Sequence, residues 1–116
     1  FDDYLLTLRE EFKDFMIDYF QSNVEGELIN KLQEEGFSYD YILLNAGGYT
    51  HTSVALTDCV KAIETPVIEI HISNIFKRED FRKKSYLSDI SSGVIAGLGT
   101  DGYQYALLQA IKLIES

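Results

Sequence analysis

Apolar positions along this chain switch between helical and strand spacing, and the switches lay out its elements. Leu5, Leu8 and Phe12 recur at helical intervals behind Asp2 and Asp3, where a helix dipole favours negative charge; this predicts a helix over residues 1–13. The aromatic run 15–20 predicts a strand. After the polar break Gln21-Ser22-Asn23, Leu28, Ile29 and Leu32 share one face of a helix over 24–35 that Gly36 closes. A short buried strand at 41–44 and a loop at 45–51 follow. Residues 52–63 then form a helix with the stripe Val54, Ala55, Cys59 and Ala62, capped by Thr50 or Thr52. Pro66 sets the entry to Val67-Ile68-Glu69-Ile70-His71, which has the β-branched character of a strand inside a parallel sheet. Beyond it the pattern gives a polar loop at 74–85 and a short helix near 87–90. A small strand at 93–96, a glycine turn at 97–102 and a closing helix at 103–115 complete the chain.

Alternating strands and helices predict one α/β domain over 1–116, a parallel sheet with helices on both faces. In such sheets ligands bind beyond the carboxyl ends of the strands. Those ends carry three polar clusters, 21–23, 45–51 and 71–74, which should meet at one edge. Side chains alternate across a strand, so Glu69 and His71 point to the same face. A carboxylate beside an imidazole orients the ring, fixes its tautomer and favours its protonated form, which suits a proton donor. A paired structural histidine at a strand end would look the same at this level.

The charge pattern narrows the partners. A net charge of −9 argues against a nucleic-acid surface. Half of the ten basic residues (Lys77, Arg78, Arg82, Lys83 and Lys84) nevertheless fall in eight positions. With Glu79 and Asp80 counted, that segment is +3 and the remainder −12. A small anion is the ligand such a patch would take, unless it is only a solvated loop. No apolar run approaches the ~20 residues of a membrane span. The single cysteine, Cys59, reads as mid-helix packing rather than a nucleophile and fits a reducing cytoplasm.

Gly97-Leu98-Gly99-Thr100-Asp101-Gly102 matches GxGxxG but has no following strand and no acidic residue ~20 positions on, so it does not predict a dinucleotide site. Tight turning and close helix packing explain these glycines better. In the loop 45–51, adjacent glycines permit close approach to a ligand, while Asn45 and His51 offer directional hydrogen bonds. His51, His71 and Glu69 are metal-ligand types, yet they lack a compact spacing such as HExxH.

Taken together, 45–53 (Asn-Ala-Gly-Gly-Tyr-Thr-His-Thr-Ser), 68–74 (Ile-Glu-Ile-His-Ile-Ser-Asn), Arg78-Glu79-Asp80-Phe81-Arg82 and Ser85-Tyr86 resemble the type II 3-dehydroquinate dehydratases. Residues 22–28 and the segments around Gly97-Leu98-Gly99 and Gly102-Tyr103 match as well, so the likeness runs essentially the whole length. It implies a flavodoxin-like fold and anti elimination of water from 3-dehydroquinate to give 3-dehydroshikimate, a shikimate-pathway step needing no metal or cofactor. By position, His71 would be the general acid, Glu69 its orienting carboxylate, and Asn45 a group that holds substrate and assists. Backbone amides of Ile72 and Ser73, with the Ser73 hydroxyl, would grip the substrate carboxylate. His51 and Arg82 would bind ring hydroxyls, Gly47 would line the pocket and Arg78 would belong to the cationic surround. Asp58 would reach a neighbouring subunit's site, because the family forms trimers gathered into dodecamers.

Ala46 stands where the family usually has Pro, and Gly48 where Ala is common. The family's first strand and its lid, which carries an Arg and the Tyr that takes the C2 proton, would lie before Phe1. Tyr4 falls on the following helix and is no substitute. The expectation is therefore an N-terminally incomplete domain, inactive alone, from a longer cytoplasmic enzyme. The alternative is a non-catalytic flavodoxin-like module that binds a small carboxylate or phosphate.

Overall fold

The computed structural model describes residues 2–115. Their elements run α1 (Asp2–Glu11), α2 (Glu25–Glu35), β1 (Ile42–Leu44), α3 (Val54–Ala62), β2 (Val67–His71), β3 (Gly93–Ala96) and α4 (Asp101–Ile114). Three short 3-10 turns, Gly47–His51, Ile75–Lys77 and Asp80–Lys83, sit in the connections. The sheet order is β1-β2-β3 and both pairings are parallel. β2 lies in the middle, buried at every position, which is why it reads as a nearly unbroken apolar run.

Its alternating faces feed two cores. Val67 packs with Leu32 of α2 and with Leu56, Cys59 and Val60 of α3. Ile68 and Ile70 pack with Ala106 and Ala110 of α4. Leu56 and Ile70 are fully sealed from solvent, each such burial contributing about 1.5–3 kcal/mol. Glu69 shares the face of Val67 and His71, so the charge enters the layer between β2 and α3. α1 buries Leu5 and Leu8, and its last residue is tied to α4 by Gln104 Nε2 donating to Glu11 at 3.0 Å. No helix among the described residues is long and apolar enough to cross a membrane.

Four local expectations change. The α3 stripe is shifted: Val54, Ala55 and Ala62 are exposed, and Leu56, Cys59 and Val60 face the core. Residues 15–20 form no strand: a strand exists only in a ladder, and among the described residues this run has a turn bond from the Phe15 N–H to the Phe12 carbonyl and Arg9 Nε on the Ile17 carbonyl, but no ladder partner. Met16, Tyr19 and Phe20 are exposed there. Residues 87–90 make a single turn, closed by the N–H groups of Ile90 and Ser91 on the Leu87 carbonyl, instead of a helix. The cap of α3 is Ser53, whose Oγ accepts from the Leu56 N–H at 2.9 Å. Thr50 is instead buried in the turn before it.

Gly36 does follow α2, but with φ −69° it uses no left-handed backbone. Its contribution is closeness. The Gly36 carbonyl accepts from the N–H groups of Glu64 and Thr65 and from Thr65 Oγ1, tying the end of α2 to the entry of β2.

Candidate active site

The last residue of β2 brings an imidazole to the carboxyl edge of the sheet, and the strand's own period supplies its partner. His71 Nε2 donates to Glu69 Oε2 at 2.5 Å, with the carboxylate fully buried and the ring only 5% exposed. Burial works to raise the Glu69 pKa, but hydrogen bonds from His71, Ser88 and Ser85 outweigh it and hold the carboxyl below its ordinary value. An ionised carboxylate on Nε2 fixes the tautomer and turns the opposite edge of the ring away from the strand.

His51 completes an imidazole pair. Its ring stacks on His71 with centroids 6.1 Å apart and planes 19° from parallel. His51 Nδ1 donates to the Lys84 carbonyl at 2.7 Å, and Phe81 meets the same ring edge-on. Asn45 stands at the end of β1. Its Oδ1 accepts from the Gly47 N–H at 3.1 Å and its Nδ2 donates to Tyr103 Oη at 3.0 Å. Gly47 has φ +57°, the left-handed backbone that lets the loop fold back under this amide. Tyr49 Oη donates to the Asn23 carbonyl, so the segment after Ser22 joins the same edge. The 45–51 and 71–74 clusters meet at this edge, while the 21–23 segment, which ends no strand, joins it through the Asn23 carbonyl.

The glycine turn at 97–102 is stitched to the end of β2. Gly97 N–H donates to the His71 carbonyl at 3.2 Å and Gly99 N–H to the Ile72 carbonyl at 3.0 Å. Gly97 reaches this with φ +86°. At Gly102 a Cβ would lie 3.3 Å from Ile95 Cγ2, so its bare backbone lets α4 press onto the sheet. Ile72 and Ser73 are exposed beside this turn.

In the basic loop, much of the charge is met within the loop itself. Arg82 Nε donates to Glu79 at 2.7 Å, Arg78 lies 4.0 Å from the same carboxylate, and Lys83 lies 3.3 Å from Asp80. Arg82 is only about a quarter exposed and packs over Phe81, the ring that also touches His51. Thus Arg82 and His51 share one aromatic support, whereas Arg78 stays at the rim. Asp58 is exposed on α3, and no contact joins it to these groups. Among the described residues no group of three His, Cys, Asp or Glu side chains is gathered to hold a metal ion.

Four partners carry no role in the sequence pattern: Ser85 and Ser88 on Glu69, Tyr103 on Asn45, and the Lys84 carbonyl on His51. Serines in a polar loop have no period that marks their direction. Only the placement of 85–88 over the buried carboxylate gives them one.

The profile of the family described as dehydroquinase class II matches residues 1–111. The chain belongs to this family. Among curated proteins it is 53% identical over 96 residues to a 3-dehydroquinate dehydratase of Enterobacter sp. (strain 638), covering 83% of this chain and 64% of that one. It is 50% identical over 99 residues to one of Campylobacter jejuni subsp. jejuni, covering 85% and 62%. The chain thus spans a little under two thirds of the length of these relatives. A type II dehydroquinase structure from Butyrivibrio crossotus superposes with a TM-score of 0.85 at 37% identity, covering 93% of this chain and 78% of that one. One from Propionibacterium acnes gives 0.85 at 31% identity, with 94% and 82% covered. The flavodoxin-like α/β class read from the sequence is the one these dehydroquinase neighbours share.

Proposed function

We propose that the protein is a type II 3-dehydroquinate dehydratase, removing water from 3-dehydroquinate by anti elimination. The observation that carries this is His71, fixed through Nε2 by an ionised, buried Glu69 and stacked on His51 at the strand ends. In the elimination the C2–H bond breaks and its electrons form C1=C2. The C1–O bond breaks with them, and the hydroxyl needs a proton to leave as water. His71 supplies that proton, and Glu69 stabilises the ring that gives it up and is later reprotonated. The resemblance assigns the base for C2 to a lid tyrosine, a role that none of the residues matched above takes.

Asn45 holds the substrate near the leaving hydroxyl. The backbone of Ile72 and Ser73 and the Ser73 hydroxyl take the carboxylate, while His51 and Arg82 take ring hydroxyls. Gly47 lines the pocket, and Arg78 adds positive potential at the rim. Support for these roles comes from the convergence of β1, β2 and the 78–85 loop on one edge. Asp58, on the outer face of α3, is free to enter a neighbour's site in a trimer, and four trimers would make the dodecamer. The work belongs to a single domain of a cytoplasmic enzyme of the shikimate pathway, with no metal or cofactor.

Enone absorbance tests the reading, because the product absorbs in the ultraviolet where the substrate does not. The complete protein should produce a rising signal, and His71→Ala should lower turnover by about 10²–10⁴. A flat trace from the complete protein, with carboxylate binding retained in His71→Ala, would replace the enzyme with a binding module.

A further inference from the structure

The Glu69 carboxylate accepts hydrogen bonds from three side chains, and only one of them is His71. Ser85 Oγ lies 3.1 Å from Oε1 and 3.2 Å from Oε2, and Ser88 Oγ lies 2.9 Å from Oε1. Both serines sit on the single turn at 85–88 between the basic loop and β3. Ser85 Oγ also accepts from the N–H groups of Leu87 and Ser88, at 3.0 and 3.1 Å. With its lone pairs engaged by those two donors, its one O–H proton is left for the carboxylate. The Ser88 hydroxyl has no other partner among the described residues, so its contact with Oε1 is its whole hydrogen-bonding role.

Such donors change what a buried carboxylate does to an imidazole. With His71 as its only partner, the buried Glu69 carboxylate would lose two of the donors that hold it as the anion. It could also rotate about its last bond. Two hydroxyl donors favour the anion and fix its plane. We propose that Ser88, supported by Ser85, is a positioning residue for the acid step: its hydroxyl pins Glu69 Oε1 so that Oε2 faces His71 Nε2 and the ring keeps one orientation. The proposal rests on the dehydratase reading for its kinetic consequence, but the geometry it asserts is readable without turnover.

The test compares the complete wild-type protein with Ser88→Ala, Ser88→Thr and Ser88→Cys, by enone assay and by imidazole nitrogen and N–H resonances in NMR. Ser88→Ala should lower kcat on the order of tenfold, as expected for losing a hydrogen bond to a charged group. KM should stay unchanged because Ser88 touches no substrate, and the His71 Nε2–H resonance should move. Ser88→Thr, which keeps the hydroxyl, should recover kcat and the wild-type resonance. If Ser88→Ala does not fold, Ser88→Cys decides, since a thiol of similar size is a weak donor and should give the same changes in smaller measure. Wild-type kcat and an unmoved His71 resonance in the folded variants overturn the proposal. If the wild-type protein itself gives no enone signal, the dehydratase reading fails, and the resonance comparison alone then decides the Ser88 contact.

Discussion

The amide of Asn45 is held in one orientation by Tyr103, fifty-eight residues away on α4, through an Nδ2–Oη contact of 3.0 Å. The Gly47 N–H grips the other end of the same amide. Burial raises the Tyr103 pKa, only partly offset by Asn45, so the phenol stays protonated and neutral through the ordinary working range. Tyr103→Phe removes one neutral hydrogen bond worth about 0.5–1.5 kcal/mol. The expected outcome is a fall in kcat/KM of up to about tenfold with the fold intact. Unchanged kinetics would mean that the Gly47 contact alone orients Asn45.

Glu69 makes acid stability diagnostic. Its folded pKa lies below the ordinary value of 4.5 although burial pushes the other way, because His71, Ser88 and Ser85 donate to it. The unfolded state therefore binds more protons in acid. Stability from this group is fully present above 4.5 and is lost as pH falls through the folded pKa. Melting temperature recorded between about pH 6 and about pH 3 should drop less steeply in Glu69→Gln than in wild type. Parallel acid limbs would show that Glu69 carries no such depressed pKa.

The sequence and the structure agree best where period decides the outcome. A two-residue repeat puts Glu69 and His71 on one face whatever surrounds them, and the pair was legible for that reason. The 45–51 loop was legible because Asn45 and His51 bracket adjacent glycines. The run 15–20 misled because aromatic strand propensity needs a neighbouring ladder to act on. The cap of α3 was misplaced because Thr50, Thr52 and Ser53 are all good caps. Which of them serves depends on how far the 3-10 turn Gly47–His51 carries the chain before the helix begins. Arg82 was visible as charge, but its shared packing on Phe81 with His51 is a tertiary fact.

Ser53 also makes a clean stability prediction. Its Oγ is buried and accepts from the first free N–H region of α3 at 2.9 Å, while its carbonyl accepts from Thr57 Oγ1 at 2.9 Å. Ser53→Ala keeps the carbonyl and deletes the cap. The loss should be about 1 kcal/mol, within the ~0.5–2 kcal/mol range of such caps, by denaturant unfolding. Because α3 begins three residues after His51, a modest rise in KM should accompany it. A variant as stable as wild type would show that the 3-10 turn, not the cap, starts this helix.

Two glycine-to-alanine changes should act in opposite directions. At Gly36 an added Cβ would fall 2.4 Å from Ile63 Cγ2 and 2.6 Å from the Leu32 carbonyl, neither of which is the loose end of a flexible side chain. The end of α2 and the entry of β2 would have to separate, costing about 1–3 kcal/mol as overpacking typically does. At Gly48 an added Cβ meets nothing within 4 Å, and the residue is not among the glycines with positive φ. Alanine there restricts the unfolded chain without straining the folded one and should stabilise by about 0.4–1 kcal/mol. Urea midpoints for the two variants should therefore bracket wild type. A Gly48→Ala midpoint below wild type would mean that the folded 45–51 loop disfavours alanine at this position despite the open space around it.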